Sequence, residues 1–238
     1  MPSLRYMAPW LVCLIAGCSA VSGQDAEEPT TSTHAYKQVD GKELTLRVAP
    51  PANASDEGRR PAMVFFPVGG FRGVNLKQFS AHEAYLRHRG MIVITVTCRV
   101  GLPGPRGGEQ TVDDGRSAIR WIRAHAEELG VDPDRIAAGG GSAGAVVALC
   151  AGVIETPQPE DEPKVSPRPN ALVLFNPAVA YTPIEGREYR SAKRLAIYQD
   201  RWGRRNLPEI SAYQHVDADD PPTVIFHGEP DTICPIET

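Results

Sequence analysis

From Glu43 onward, short apolar runs alternate with amphipathic stretches, and this alternation limits the folds that are open to the chain. The apolar runs have the length of strands, and most are rich in β-branched residues: 44–48, 62–66, 91–96, 136–138, 171–175 and 223–226. Helical stretches are predicted at 77–89, 112–129, 143–153 and 188–202. Strands that alternate with helices need crossover connections. The sequence therefore predicts an α/β protein with a mostly parallel sheet and helices on both faces.

The second predicted helix carries two further signals. Its apolar residues Ile119, Ile122 and Leu129 recur on one helical face, as in a helix that covers a sheet. Thr111 and Asp114 are spaced like a capping box. We therefore expect this helix to begin at residue 112, directly after Thr111.

Composition and charge exclude several classes of protein. A chain of 238 residues with 42% hydrophobic side chains can build one sizeable core, which excludes a disordered or fibrous protein. The net charge of -4 provides no basic field for a polyanion, so nucleic acid is not an expected partner. The cysteines Cys98, Cys150 and Cys234 are widely separated and lack the spacing of metal ligands. We expect buried or free thiols and no metal.

The first residues are typical of an export signal. Arg5 supplies the positive start, and an apolar run of 11 residues follows at 7–17. That run is shorter than the roughly 20 residues that a membrane-spanning helix needs. We therefore predict a signal peptide at 1–17, a flexible tether at 18–35 and a folded domain at 36–238.

The end of the apolar run resembles the lipobox of bacterial lipoproteins. It reads Ile-Ala-Gly-Cys and ends at Cys18. The resemblance implies that Cys18 is acylated and becomes the first mature residue, so that the membrane is contacted through a lipid anchor. Ordinary cleavage after Ala20 or Gly23 is the alternative. The expected location is the bacterial cell envelope, or the periplasm or exterior if no lipid is attached.

The segment with the clearest chemical signal contains Gly140-x-Ser142-x-Gly144. It follows a predicted strand and opens a predicted helix, as a nucleophile elbow requires. The turn is so tight that the flanking positions favour glycine, and its strain lifts the Ser142 hydroxyl above the sheet. The Ala143 amide then lies at a helix amino terminus, where it can stabilise an oxyanion. A plain tight turn or a phosphate-binding turn is the alternative, although no lysine follows as a P-loop would require.

Three ordered blocks resemble the α/β-hydrolases of the bacterial esterase and lipase group. They are residues 114–122, 132–144 and 221–231, and they are similar to hormone-sensitive-lipase-like and feruloyl-esterase-like carboxylesterases. The resemblance implies an α/β-hydrolase fold, an acyl-enzyme on Ser142, a small-molecule ester substrate and no organic cofactor. It says nothing about oligomeric state.

The same resemblance places the remaining site residues. Asp231 occupies the position of the acid that orients a catalytic histidine, although a plain turn aspartate would suit the local Glu-Pro-Asp-Thr sequence. His227 matches a structural histidine that ends the preceding strand. Gly69 and Gly70 match oxyanion donors, but Pro67 stands where the family has histidine, which makes the shape of this loop hard to predict.

In this fold the general base is a histidine that follows the acid, and no histidine follows Asp231 in this sequence. The family's last strand and helix are missing as well. Two interpretations therefore stay open: an esterase whose sequence is given without its carboxy-terminal part, or a hydrolase-fold lipoprotein that binds a ligand with little turnover. A peptidase of related fold is disfavoured, because no propeller or amine-binding acidic pair is recognisable.

Overall fold

The structure is a computed structural model that describes residues 30–53, 58–101, 107–155, 164–182, 184–185, 207–234 and 236. Its strands are β1 Ser32–Val39, β2 Lys42–Ala49, β3 Arg60–Phe66, β4 Val68–Gly69, β5 Gly73–Val74, β6 Ile92–Val96, β7 Val131–Gly141, β8 Ala171–Phe175 and β9 Thr223–Phe226. Its helices are α1 Ser80–His88, α2 Gly107–Ala124, α3 Ala143–Val153 and the short α4 Leu207–Ile210, which a 3-10 turn at Ala212–His215 follows.

The main sheet has the strand order β1-β2-β6-β3-β7-β8-β9. Strand β2 is antiparallel to both of its neighbours, β1 and β6, whereas β6, β3, β7, β8 and β9 run parallel to one another. Helices cover both faces. Val64 and Phe66 point into the cluster that α2 and α3 complete, and Met63 and Phe65 point to the opposite face, where Phe79 precedes α1. The predicted α/β class and the predicted covering of both faces are confirmed.

The amino-terminal boundary of the domain differs from the prediction. Residues 32–35, assigned to the tether, belong to β1, which pairs with β2 through partners such as His34 and Leu46. The sequence signal was weak because Tyr36 is the only residue of β1 that is buried. The leader and Cys18 lie outside the described residues, as does the predicted helix at 188–202.

The predicted capping box is wrong. Helix α2 begins at Gly107, so Thr111 and Asp114 lie inside the helix and not at its start. The Thr111 hydroxyl donates to the carbonyl oxygens of Gly107 at 3.1 Å and Arg99 at 2.7 Å. Asp114 is fully buried and accepts hydrogen bonds from Arg99. Tertiary contacts therefore occupy the two side chains that the local pattern assigned to capping.

Strand β9 closes one side of the sheet in the part of the chain that the structure describes. It pairs in parallel with β8, and its other edge has no strand partner among those residues. The side chains of Val224, Ile225 and Phe226 are about half exposed. An unpaired edge of this kind presents apolar side chains and backbone hydrogen-bonding groups to its surroundings.

The cysteines Cys98, Cys150 and Cys234 are buried, as predicted, and form no disulfide with another described residue. Burial raises the pKa of the Cys150 thiol to about 12 and also raises the pKa of the Cys98 thiol, so both are protonated at neutral pH. No group of three or more histidine, cysteine or acidic side chains among the described residues is placed to hold a metal ion. Within the same residues, no helix combines the length and the apolar character that crossing a bilayer would take.

Candidate active site

Ser142 lies on a sharp turn between β7 and α3, which is the strand–turn–helix context that the sequence predicted. Its φ of 53° and ψ of -116° are unusual for a residue with a side chain. Such a conformation costs on the order of 1–3 kcal/mol and persists only where surrounding contacts impose it. The Ser142 amide donates to the Phe175 carbonyl at 2.9 Å, and the Ser142 carbonyl accepts from Val146 at 3.1 Å. The turn is therefore fixed from both sides.

The two glycines that flank Ser142 are required by backbone crowding. A Cβ on Gly144 would lie 1.9 Å from the Phe66 carbonyl oxygen, and one on Gly140 would lie 2.5 Å from the Gly144 carbonyl carbon. Neither contact can be relieved by moving a flexible side chain, because the opposing atoms belong to the backbone. The Gly-x-Ser-x-Gly pattern follows from the approach of α3 to the end of β3.

Helix α3 directs its amino terminus toward the turn that carries Ser142. All residues of α3 are buried, and Ala143 is its first residue. At the opposite end, the buried Arg116 donates to the carbonyl oxygens of Cys150 at 3.0 Å and Ile154 at 3.3 Å. A cation at the carboxyl end satisfies the terminal carbonyls, and the positive end of the helix dipole faces the serine. This field favours an anion near the Ala143 amide.

The loop that follows β3 forms a small hairpin, which we call the oxyanion hairpin and define as residues 68–74. Strand β4 pairs with β5, and the Arg72 amide donates to the Gly69 carbonyl at 3.0 Å. Gly70 and Phe71 both have left-handed backbones, with φ of 56° and 58°. Where the family has histidine, the Pro67 carbonyl accepts from Asn75 at 2.9 Å.

The oxyanion hairpin packs against the turn that carries Ser142. The position that a Cβ on Gly144 would occupy is 3.3 Å from the Val68 amide nitrogen, and Val68 is fully buried. Gly69 is exposed and Gly70 is half-buried, so this part of the hairpin is accessible at the surface. The structure thus brings Gly69, Gly70 and Ala143 to one edge of the sheet, whereas their role as oxyanion donors stays a prediction.

Asp231 lies at the same edge, beyond β9. Its Oδ1 accepts from the amides of Ile233 at 2.7 Å and Cys234 at 2.8 Å, and its amide donates to the Gly228 carbonyl at 3.0 Å. The carboxylate thus shapes a turn, as the local sequence suggested. Its Oδ2 lies 3.7 Å from His227 Nε2. Nothing in this geometry tests the role of Asp231 as the catalytic acid.

His227 is fixed by the segment that follows β9, as expected of a structural histidine. Its Nε2 forms a hydrogen bond with the Cys234 carbonyl oxygen. Gly141, Phe175 and Phe226 are in register across β7, β8 and β9. Ser142 and His227 directly follow the first and the last of these residues, so their backbones are separated by two strand spacings. That separation is about 10 Å between backbones. No hydrogen bond joins the Ser142 hydroxyl to any of the six histidines, all of which are described residues.

Two features of the site were not found from the sequence. Asn176, directly after β8, has a φ of 43°, and its amide donates to the Phe226 carbonyl at 2.8 Å. Asparagine tolerates this backbone region, so its position at a predicted strand end was a usable signal. The second feature is the buried contact between Asp114 and Arg99. It had no local signal because the two residues lie on different elements.

The parallel sheet, the strained serine turn and the adjacent hairpin define the α/β-hydrolase class. The family model described as BD-FAE matches residues 50–238, which is more than half of the chain. The chain belongs to the BD-FAE family, and the resemblance to a bacterial esterase of the α/β-hydrolase superfamily is confirmed.

Solved structures of esterase 2 from the planctomycete Thermogutta terrifontis are similar to this chain. The form phosphonylated by sarin has a TM-score of 0.78 and 34% identity, over 89% of this chain and 77% of that chain. The butyrate-bound form has a TM-score of 0.76 and 34% identity, over 89% of this chain and 76% of that chain.

Curated relatives carry esterase names. The probable carboxylic ester hydrolase LipM of Mycobacterium tuberculosis is 29% identical over 209 residues, which is 78% of this chain and 47% of LipM. Carboxylesterase 5A of Felis catus is 29% identical over 121 residues, which is 47% of this chain and 22% of that protein. The chain thus spans about half or less of the length of these relatives.

Proposed function

We propose that the protein is a serine hydrolase that cleaves carboxylic esters through an acyl-enzyme on Ser142. The observation that carries the proposal is the strained backbone of Ser142 at the amino terminus of the buried helix α3. Backbone strain of this kind is concentrated at active sites, where it is part of the mechanism. The esterase names of the relatives support the same reaction.

The other residues of the site have distinct roles in the proposed reaction. The amides of Gly69, Gly70 and Ala143 stabilise the oxyanion of the tetrahedral intermediate. Asp231, whose Oδ1 accepts from the amides of Ile233 and Cys234 in its own turn, orients the ring of a catalytic histidine. The histidine removes the proton of Ser142 and returns it to the leaving alcohol.

We propose a short acyl chain as the substrate class. Esterase 2 of Thermogutta terrifontis has been solved with propionate and with butyrate bound, and both are short carboxylates. A short acyl chain also needs only a small apolar pocket to bind it.

The proposal is tested by the hydrolysis of p-nitrophenyl butyrate and by covalent labelling with paraoxon, which phosphorylates the Thermogutta esterase. We expect slow turnover and a diethylphosphate adduct on Ser142, located by peptide mass spectrometry, and the loss of both in Ser142→Ala. Ser80→Ala, an exposed serine at the start of α1, is the matched control and should behave as the parent. An adduct elsewhere, or turnover that persists in Ser142→Ala, would contradict the assignment.

The second candidate function is a lipoprotein that binds ligands with little catalysis. It is favoured by one observation: none of the six histidines, all of which the structure describes, is hydrogen-bonded to Ser142. Such a protein would bind butyrate in a calorimetric titration and form no adduct with paraoxon over hours.

We also propose that the protein is exported and anchored by a lipid on Cys18, on the strength of the Ile-Ala-Gly-Cys sequence that ends the leader. In a bacterial host, the mature protein should carry the mass of an acylated amino-terminal cysteine and partition with membranes. Cys18→Ala should release it, whereas the control Cys13→Ala, in the same leader, should not. An unmodified mature amino terminus beyond Cys18 would refute the anchor.

A further inference from the structure

We propose that the buried carboxylate of Asp114 is a positioning residue for the oxyanion hairpin, residues 68–74. It acts through Arg99 and Gly101 and touches neither the serine nor the substrate. The inference rests on the proposed ester hydrolysis for its catalytic consequence, whereas its structural claim can be tested without turnover.

Asp114 has the geometry of an anchor. Its side chain is fully buried on α2, and its Oδ2 accepts from the amide of Arg99 at 3.0 Å and from Arg99 Nε at 2.9 Å. Its Oδ1 accepts from Arg99 Nη2 at 2.7 Å and lies 3.6 Å from Lys37 Nζ. Backbone and side chain of Arg99 are thus fixed by one carboxylate, and the hydrogen bonds with Asp114 raise the pKa of Arg99.

The segment held by Asp114 reaches the hairpin two residues later. The Arg99 carbonyl accepts from the Thr111 hydroxyl at 2.7 Å, which fastens the same residue to α2 a second time. The amide of Gly101 then donates to the Phe71 carbonyl at 2.7 Å. Gly101 has a φ of 68°, which glycine adopts without strain and which aims this amide at the hairpin.

The hairpin needs a contact of this kind because its tip is strained. Phe71 has a left-handed backbone, which costs a residue with a side chain roughly 1–2 kcal/mol. The hydrogen bond from Gly101 fixes the peptide that follows Phe71, and the buried Phe71 ring fixes the residue itself. The amides of Gly69 and Gly70, directly before this point, then keep one orientation toward the serine turn. Preorganised donors of this kind lower the barrier because they need no rearrangement in the transition state.

The test compares Asp114→Asn with Asp113→Asn in the full chain. Asp113 is the neighbouring carboxylate on α2 and is half exposed, so the chemical change is the same and the burial differs. Hydrogen exchange is followed by mass spectrometry in peptides that cover 68–74 and 143–153. We expect exchange over 68–74 to be at least tenfold faster in Asp114→Asn only, with 143–153 unchanged. Thr111→Val, which cuts the same link at Arg99 and keeps side-chain volume, should give a smaller change of the same sign.

The catalytic readout separates binding of the transition state from binding of the product. Butylboronic acid forms a tetrahedral adduct on a serine, and butyrate resembles the product. We expect the affinity for the boronic acid and kcat for p-nitrophenyl butyrate to fall at least tenfold in Asp114→Asn, with the Kd of butyrate within twofold of the parent.

Two outcomes would overturn the proposal. The first is hydrogen exchange over 68–74 that matches the parent in both Asp114→Asn and Thr111→Val. The second is exchange that rises equally in 143–153, because the effect of the substitution would then be global. Faster exchange confined to 68–74, in a protein that neither hydrolyses the ester nor binds the boronic acid, would support the positioning role and refute the proposed function. The two failures are therefore distinguishable.

Discussion

A chain extended past Thr238 by the terminal strand and histidine loop of an α/β-hydrolase esterase should hydrolyse p-nitrophenyl butyrate several orders of magnitude faster than residues 1–238. The reason is the general base. Loss of the base in a serine triad costs about 10⁶ in turnover and leaves roughly 10³–10⁴ over water from the oxyanion hole and binding. Ser142 follows β7 and Asp231 follows β9, at the same edge of the sheet, and no described histidine is hydrogen-bonded to Ser142. Steady-state rates of the two chains at equal concentration provide the measurement.

The gain should disappear in Ser142→Ala of the extended chain, because no other group can form the acyl intermediate. Full esterase turnover by residues 1–238 would contradict the expectation that these residues do not supply the general base. The search for the base would then start at His227, whose Nε2 lies 3.7 Å from Asp231 Oδ2. His227→Ala would abolish that turnover if His227 supplied the base, and His88→Ala, an exposed histidine on α1, would leave it unchanged.

Among glycine-to-alanine substitutions at the site, Gly144→Ala should reduce the stability of the fold the most. The new Cβ would lie 1.9 Å from the Phe66 carbonyl oxygen and 3.3 Å from the Val68 amide nitrogen. Both are backbone atoms, so α3 must move away from β3. We expect a loss of about 4 kcal/mol in the free energy of unfolding, or on the order of 10 °C in Tm. Thermal denaturation followed by circular dichroism measures it.

The matched control is Gly73→Ala on the oxyanion hairpin, where a Cβ meets nothing within 4 Å. We expect its Tm to stay within about 2 °C of the parent. Equal melting temperatures for Gly144→Ala and the parent would mean that the close approach of α3 to the end of β3 is absent in solution.

The main sheet was predictable because its central strands are continuous apolar runs. Strands β8 and β9 coincide with the predicted runs at 171–175 and 223–226, and β3 extends its prediction by two residues. Strand β1 was missed because a strand with one buried side chain has little hydrophobic pattern. Helix α2 begins five residues before its predicted start, because tertiary contacts, and not a capping box, determine where Thr111 and Asp114 lie.

The candidate site was predictable to the extent that its chemistry is local. Gly140, Ser142 and Gly144 form one turn, and their spacing between a predicted strand and a predicted helix indicates the elbow. The hairpin at 68–74 was not predictable in shape, because the departure at Pro67 removes the family pattern and the strain at Phe71 is compensated by Gly101, far along the chain. Contacts between distant segments leave no periodic signal in the sequence.

The strand order also determines when each part of the site is assembled during synthesis. Strand β3 lies at the centre, and β7, β8 and β9 are added beside it in chain order, each parallel to the one before. Because a chain emerges from the ribosome amino terminus first, β3, β7 and α3 can pack before β9 has been made. From the completion of β8 until β9 is made, the nascent protein therefore presents the serine turn beside the unpaired edge of β8. An unpaired sheet edge can pair with strands of other chains, so we expect the nascent protein to be most prone to aggregation during this interval.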